Sequence, residues 1–148
     1  MLQLRTILDV ADNTGAKKVS MIGMSKKGNR KFAYLGEVIN ITVKEAQPFS
    51  LVKKGEILTA VIVRTRKEAR RRDGSYIRFD DNACVILASK EVKDPKGTRI
   101  FGPIGKEVKE NGFSKIAKSK LPENFPVMKV DSKFYYYSFP TGITTATV

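Results

Sequence analysis

Between Leu2 and Ala88 the apolar and β-branched residues come in short blocks, and each block ends at residues that tolerate positive φ. The stops are Asp12-Asn13-Thr14-Gly15, Lys27-Gly28-Asn29, Lys53-Lys54-Gly55 and Asp73-Gly74. Blocks of strand length between such turns specify strands rather than helices. The spacing predicts strands over Leu2 to Val10, Lys17 to Met24, Leu35 to Val43, Glu56 to Arg66, Ser75 to Phe79 and Ala83 to Ala88. Several short strands leave exposed edges unless the sheet closes on itself, so the pattern predicts a small β-barrel. Alternation sets Ile39, Ile41 and Val43 on one face and Val38, Asn40 and Thr42 on the other, and the first set is assigned to the core.

After Asp94-Pro95-Lys96-Gly97 the period changes. Ile104 to Glu110 and Ser114 to Leu121 have helical composition, with Pro103 suited to a first turn and Asn111-Gly112 to a helix end. Beyond Pro122 the chain holds Pro126, Pro140 and the run Phe134-Tyr135-Tyr136-Tyr137-Ser138-Phe139. The expected organisation is one domain over residues 1–121 followed by an extension over 122–148. A chain of 148 residues with 41% hydrophobic and 29% charged residues has enough apolar matter for one core without covalent staples.

The chain contains no histidine and a single cysteine, Cys84. That removes the Ser-His-Asp triad, imidazole bases, histidine metal ligands, internal disulfides and cysteine-pair zinc sites. A reducing compartment fits, no cofactor or metal site is expected, and enzymatic activity is not expected. Asp80 and Asp81 are the remaining candidates for a metal-dependent nuclease, weighed against a plain turn before the next strand. Cys84, between Ala83 and Val85, reads as a small buried residue. No apolar run approaches the roughly 20 residues that span a bilayer, so no membrane partner is expected. Met1 to Arg5 enters patterned sequence at once, which leads to the expectation that no presequence precedes the domain.

Lys and Arg total 28 against 15 Asp and Glu, a formal charge of +13. Such an excess calls for a polyanionic partner. It is densest over residues 64–78, where Arg64, Arg66, Lys67, Arg70, Arg71, Arg72 and Arg78 face only Glu68 and Asp73. This stretch joins two expected strands through Asp73-Gly74 and reads as a basic β-hairpin. On an extended arm Arg64 and Arg66 share a face, so their guanidinium groups are expected to meet successive nucleic-acid phosphates and release counterions. Lys17-Lys18, Lys26-Lys27, Arg30-Lys31 and Lys53-Lys54 are basic pairs that a closed barrel would bring toward one rim. Tyr34 and Tyr76 are more readily packed than stacked on bases. In Thr98-Arg99-Ile100-Phe101-Gly102-Pro103, Phe101 either seals the open end of the barrel, the preferred reading from composition, or is exposed for a partner.

Several ordered blocks resemble a known family. They are Leu8-Asp9-Val10-Ala11-Asp12-Asn13-Thr14-Gly15-Ala16, Val43-Lys44-Glu45-Ala46 and Ala60-Val61-Ile62-Val63-Arg64-Thr65. From Ala60-Val61-Ile62-Val63 the order continues through Asp73-Gly74, Phe79, Asn82 and Val85-Ile86 to Gly97-Thr98-Arg99-Ile100-Phe101-Gly102-Pro103. This resembles the bacterial and organellar form of large-subunit ribosomal protein fourteen, over residues 1 to about 121. The resemblance implies a mainly β fold: a closed five-stranded barrel with a projecting hairpin and a small C-terminal helical part. It implies binding to large-subunit ribosomal RNA near the subunit interface. Implied neighbours are the third and nineteenth large-subunit proteins and small-subunit RNA across a bridge. A docking surface for a ribosome-silencing factor is carried by matched position onto Thr98, Arg99 and Lys115, with Phe101 beside them. The rRNA-binding set expected from charge and resemblance together is Arg64, Arg66, Lys67, Arg70, Arg71, Arg72, Arg78, Lys17, Lys18, Lys53 and Lys54. The rival reading is a free oligonucleotide-binding-type barrel acting as a translation factor, which would present aromatics on its sheet. The expected place of action is a ribosome, in an organelle, with the mitochondrion favoured, or in a bacterial cytoplasm. The tail is expected to dock on a neighbouring ribosomal protein through Tyr135 to Phe139.

Overall fold

The computed structural model describes residues 1–24, 30–89 and 92–118. Seven strands and two helices follow in order: β1 (Ile7–Val10), β2 (Ala16–Met24), β3 (Val38–Ala46), β4 (Ile57–Arg64), β5 (Ala69–Arg70), β6 (Tyr76–Ile77), β7 (Ala83–Ile86), α1 (Lys106–Glu110) and α2 (Ser114–Lys118). Five of the strands close into a barrel in the order β1-β2-β3-β4-β7, and β5 and β6 form a separate two-stranded sheet. Neighbours around the barrel are antiparallel except at the closure, where β1 runs parallel to β7 through Asp9↔Ala83 and Val10↔Cys84. Closure leaves these strands no free edge, which is the outcome the short, turn-bounded blocks call for.

The barrel interior is filled by Leu8, Val19, Met21, Ile39, Ile41, Val43, Ala60, Ile62, Cys84 and Ile86. Ile39, Ile41 and Val43 therefore occupy the core as alternation predicts, while Val38, Asn40 and Thr42 are half-buried on the opposite face. A second core lies outside the wall, where Val61, Val63, Val85 and Leu87 meet Ile100, Ile104, Val108, Phe113 and Ile116. This explains why Ala60 to Val63 does not alternate with polar residues. Its even and odd members face two different apolar environments, the lumen and the helices. Each fully buried aliphatic side chain contributes about 1.5–3 kcal/mol relative to exposure, so neither cluster is dispensable.

Several element boundaries differ from the expectation for local reasons. Leu2 to Thr6 is not strand: Arg5 has φ +67 and Thr6 N–H donates to the Gln3 carbonyl, which makes a turn, and only Leu2 bridges to Ala33. β3 starts at Val38 rather than Leu35 because Gly36 (φ +79) sits in a turn closed from Glu37 N–H to the Tyr34 carbonyl. β4 ends at Arg64, β7 ends at Ile86, and the segment expected over Ser75 to Phe79 contributes only Tyr76–Ile77. Gly105 caps α1, so Pro103 stands ahead of the helix instead of in its first turn. Asn111 is the C-cap and Gly112 (φ +90) continues the chain in the left-handed region, the helix end foreseen there. The expected end of the second helix at Leu121 and the extension over 122–148 lie outside the described residues.

Asp12 fastens the first turn to the barrel. One carboxylate oxygen accepts from Thr14 N–H (3.0 Å) and from the Thr14 hydroxyl, and the other accepts from Ile86 N–H (2.8 Å). Asn13 then carries the 97–103 segment. Its amide oxygen accepts from Thr98 N–H (2.9 Å) and Arg99 N–H (3.2 Å), and its Nδ2 donates to Thr98 Oγ1 (2.9 Å). Ile100 bridges to Asp12 and is buried, which places the start of the helical part over one side of the barrel.

Candidate nucleic-acid interface

The basic segment folds as a short hairpin. Ala69 pairs with Ile77 and Arg70 with Tyr76. Asp73 shapes the turn by accepting from Ser75 N–H (2.9 Å) and Ser75 Oγ (2.6 Å), and Gly74 takes φ +84. Those hydrogen bonds from Ser75 hold the Asp73 carboxyl below the usual carboxylate range. The bond from Lys67 Nζ (2.5 Å) does the same for Glu68. Both carboxylates are thus kept ionised within the turn region and locally offset part of its positive charge.

The arginines of this region divide into two groups. Arg64 is 7% exposed. Its Nε donates to both carboxylate oxygens of Asp81 (3.0 and 3.1 Å), and its Nη1 donates to the carbonyls of Phe101 (2.9 Å) and Pro103 (3.0 Å). The expectation that Arg64 offers its guanidinium to phosphate beside Arg66 is therefore corrected. β4 ends at Arg64, so the extended arm on which that expectation rests does not continue to Arg66, and the 97–103 segment covers the Arg64 guanidinium. Gly102 lies against it so closely that a Cβ there would stand 2.3 Å from Nη1. The same contact pairs Asp81, one of the two aspartates weighed as metal ligands, with the Arg64 guanidinium. Arg71 is also turned inward, with Nε 2.6 Å from Glu107 Oε1, so it fastens the hairpin to α1.

Arg66, Lys67, Arg70, Arg72 and Arg78 are exposed. Arg66 is steadied by its Nε bond to the Asp80 carbonyl (2.6 Å) and by Asn82 Oδ1, which accepts from its N–H (2.9 Å). Arg70, Arg72 and Arg78 make no ion pair among the described residues. The result is a cationic arm whose base is clamped by Arg64 and Arg71 and whose remaining charges, Arg66 included, face solvent.

A second basic zone lies at the β1–β2 and β3–β4 connections. Lys17, Lys18, Lys53 and Lys54 are all exposed and make no ion pair among the described residues. The two connections are joined by backbone bonds from Gln47 N–H to the Gly15 carbonyl (2.8 Å) and from Leu51 N–H to the Thr14 carbonyl (3.2 Å). Arg30 instead pairs with Glu37 (2.8 Å) and sits 5.8 Å from the Tyr34 ring centroid, Lys31 is exposed, and Lys26-Lys27 lies outside the described residues. Tyr34 and Tyr76 are exposed rather than packed. Phe49, fully exposed in the β3–β4 connection, has no counterpart among the expected site residues. The one signal for it is an aromatic placed directly after Pro48 in a connection rather than in a strand.

Of the surface assigned to a protein partner, Thr98 is held by Asn13, and Arg99 lies over Phe101 at 5.5 Å from its ring centroid. Phe101 is 47% exposed, and Ile100 takes the sealing role that composition gave to its neighbour. Lys115 pairs with Asp94 at 2.6 Å. Cys84 is wholly buried in the lumen, and burial pushes its thiol pKa far up, so it is a packing residue.

Together these features define a small, basic β-barrel protein whose cationic hairpin is stapled at its base and whose helices cover one side of the wall. The profile of the family "Ribosomal protein L14p/L23e" matches residues 1–121, and the chain belongs to that family of ribosomal proteins. It is 57% identical over 123 residues to "Large ribosomal subunit protein uL14" of Aquifex aeolicus, an alignment covering 83% of this chain and 98% of the relative. The same-named protein of Aquifex pyrophilus is 56% identical over 123 residues, with the same coverage.

Proposed function

We propose that this chain is a non-catalytic constituent of the large ribosomal subunit that binds large-subunit ribosomal RNA by neutralising its phosphates. The observation that carries the reading is the clamped hairpin: Arg66, Arg70, Arg72 and Arg78 stay outward while Arg64 and Arg71 hold the arm in place. Arginines held this way match phosphate oxygens through charge-assisted bonds and position the protein on folded RNA without reading its sequence. Lys17, Lys18, Lys53 and Lys54 extend the footprint along the barrel rim. Family membership supports a place near the subunit interface, with the third and nineteenth large-subunit proteins as neighbours and small-subunit RNA across a bridge.

Arg99, Phe101, Thr98 and Lys115 are the surface we assign to a ribosome-silencing factor, with exposed Phe101 as its apolar contact. The Aquifex relatives fit a ribosome of bacterial type, whether in a bacterium or in an organelle such as the mitochondrion. The rival single-strand binder finds no platform on the barrel wall, since β1 to β4 and β7 carry no Phe, Tyr or Trp. The testing experiment is sedimentation of a cell or organelle extract through a gradient at moderate salt. The chain is expected with the large subunit and with whole ribosomes, and recovery only in the free fraction contradicts the reading.

A further inference from the structure

We propose that the β3–β4 connection presents Phe49 as a stacking platform for an unpaired RNA base, with Lys17, Lys53 and Lys54 meeting the phosphates on either side. The inference deepens the RNA-binding reading above and rests on it. Phe49 is the most exposed large apolar side chain among the described residues, and Leu51 beside it is 67% exposed, so neither adds to either core. Phe49 also adopts φ +59, a left-handed conformation that a bulky L residue disfavours. The local structure enforces it. Gln47 N–H and Leu51 N–H are tied to the Gly15 and Thr14 carbonyls, the Ser50 hydroxyl donates to the Val52 carbonyl (2.5 Å), and Val52 is buried as the anchor of the loop. Gly15 (φ +92) supports it from below, where a Cβ would come within 2.3 Å of Ser50 Cβ. A strained backbone that holds a large ring out in water, clear of both cores, points to a surface completed by something else.

Charge selects the occupant. Lys17 follows Gly15 by two residues, and Lys53 and Lys54 follow Leu51 directly after Val52. Two carboxylates flank the connection: Glu45, which stands opposite Lys18 in the β2–β3 register, and Glu56, which is engaged by Lys53 N–H (3.1 Å) and Lys96 (3.8 Å), so the lysines outnumber them. An aromatic ring flanked by exposed ammonium groups suits a base flanked by phosphates, because every base offers a π face and RNA binders read splayed-out bases this way.

Two measurements decide it. In the first, a benzophenone amino acid replaces Phe49 in the chain assembled into intact large subunits, and the light-induced adduct is mapped. An adduct in ribosomal RNA is expected, and one confined to protein overturns the inference in favour of a protein pocket. In the second, affinity for large-subunit RNA is followed against salt for the full chain and for Phe49→Gly, a residue at ease with φ +59. Loss of one stack is expected to weaken binding by about 5- to 100-fold with the salt slope unchanged, since stacking releases no counterions. Phe49→Trp is expected to restore binding. If Phe49→Gly binds as tightly as the parent, the platform is wrong while the RNA-binding reading stands. If the parent itself shows no salt-dependent binding, that reading falls and takes the platform with it.

Discussion

Arg64 shows how one side chain changes meaning between a sequence and a fold. By composition it belongs to the most basic stretch of the chain, yet its donors close a joint among Asp81, Phe101 and Pro103. Truncating it strands two carbonyls and a carboxylate. Asp81 keeps some solvent, so the loss is smaller than for a fully buried pair. Arg64→Met is therefore expected to lower unfolding free energy by about 2–4 kcal/mol in urea titration. A change well below that range, within the scatter of a surface substitution, would deny the clamp. Asp12 makes a parallel case, as its carboxylate accepts from Thr14 and Ile86 N–H in a buried site. Asp12→Ala is expected to cost about 2–4 kcal/mol by the same measurement, because both donors are deprived of a charged acceptor. The burial of Ile39, Ile41 and Val43 was legible from alternation alone. The role of Arg64 was not, because its partners at Phe101 and Pro103 stand 37 and 39 residues away.

Among elements, the turns were the most readable, since Gly15, Gly55, Gly74 and Gly112 take the positive φ that their neighbours demand. The ends of strands were less so. β1 gives up its first expected residues to a turn at Arg5, whose φ of +67 no preference of arginine announces. The covering of β4 by the helices was visible only as an absence of alternation, and which residues do the covering depends on chain return. The hairpin is a two-residue ladder, too short to stand alone. Its orientation comes from Arg71 and Glu107, both partly buried. A double-mutant cycle with Arg71→Ala and Glu107→Ala is expected to give a coupling of about 1 kcal/mol. It is also expected to speed amide exchange at Gly74 and Ser75, and additive single effects with unchanged exchange would mean that the hairpin is held otherwise.

At the scale of the molecule, +13 charge on 148 residues is tolerable because the barrel keeps its cations on the outside and gives the lumen to aliphatic residues. The fold is a rigid holder for charge. Closure removes edges, the second core seats the helices, and the 97–103 segment ties that assembly to the hairpin base through Arg64. Function on this account is electrostatic cancellation on folded RNA by side chains whose positions are set in advance. The most direct measurement is the dependence of large-subunit RNA affinity on salt, for the parent chain and for Arg66→Gln, Arg70→Gln, Arg72→Gln and Arg78→Gln combined. These four are exposed, so folding is expected to survive and circular dichroism checks it. The account predicts weaker binding at every salt concentration and a logarithmic slope reduced by about one for each phosphate that is no longer neutralised. An unchanged slope in a folded variant would contradict it.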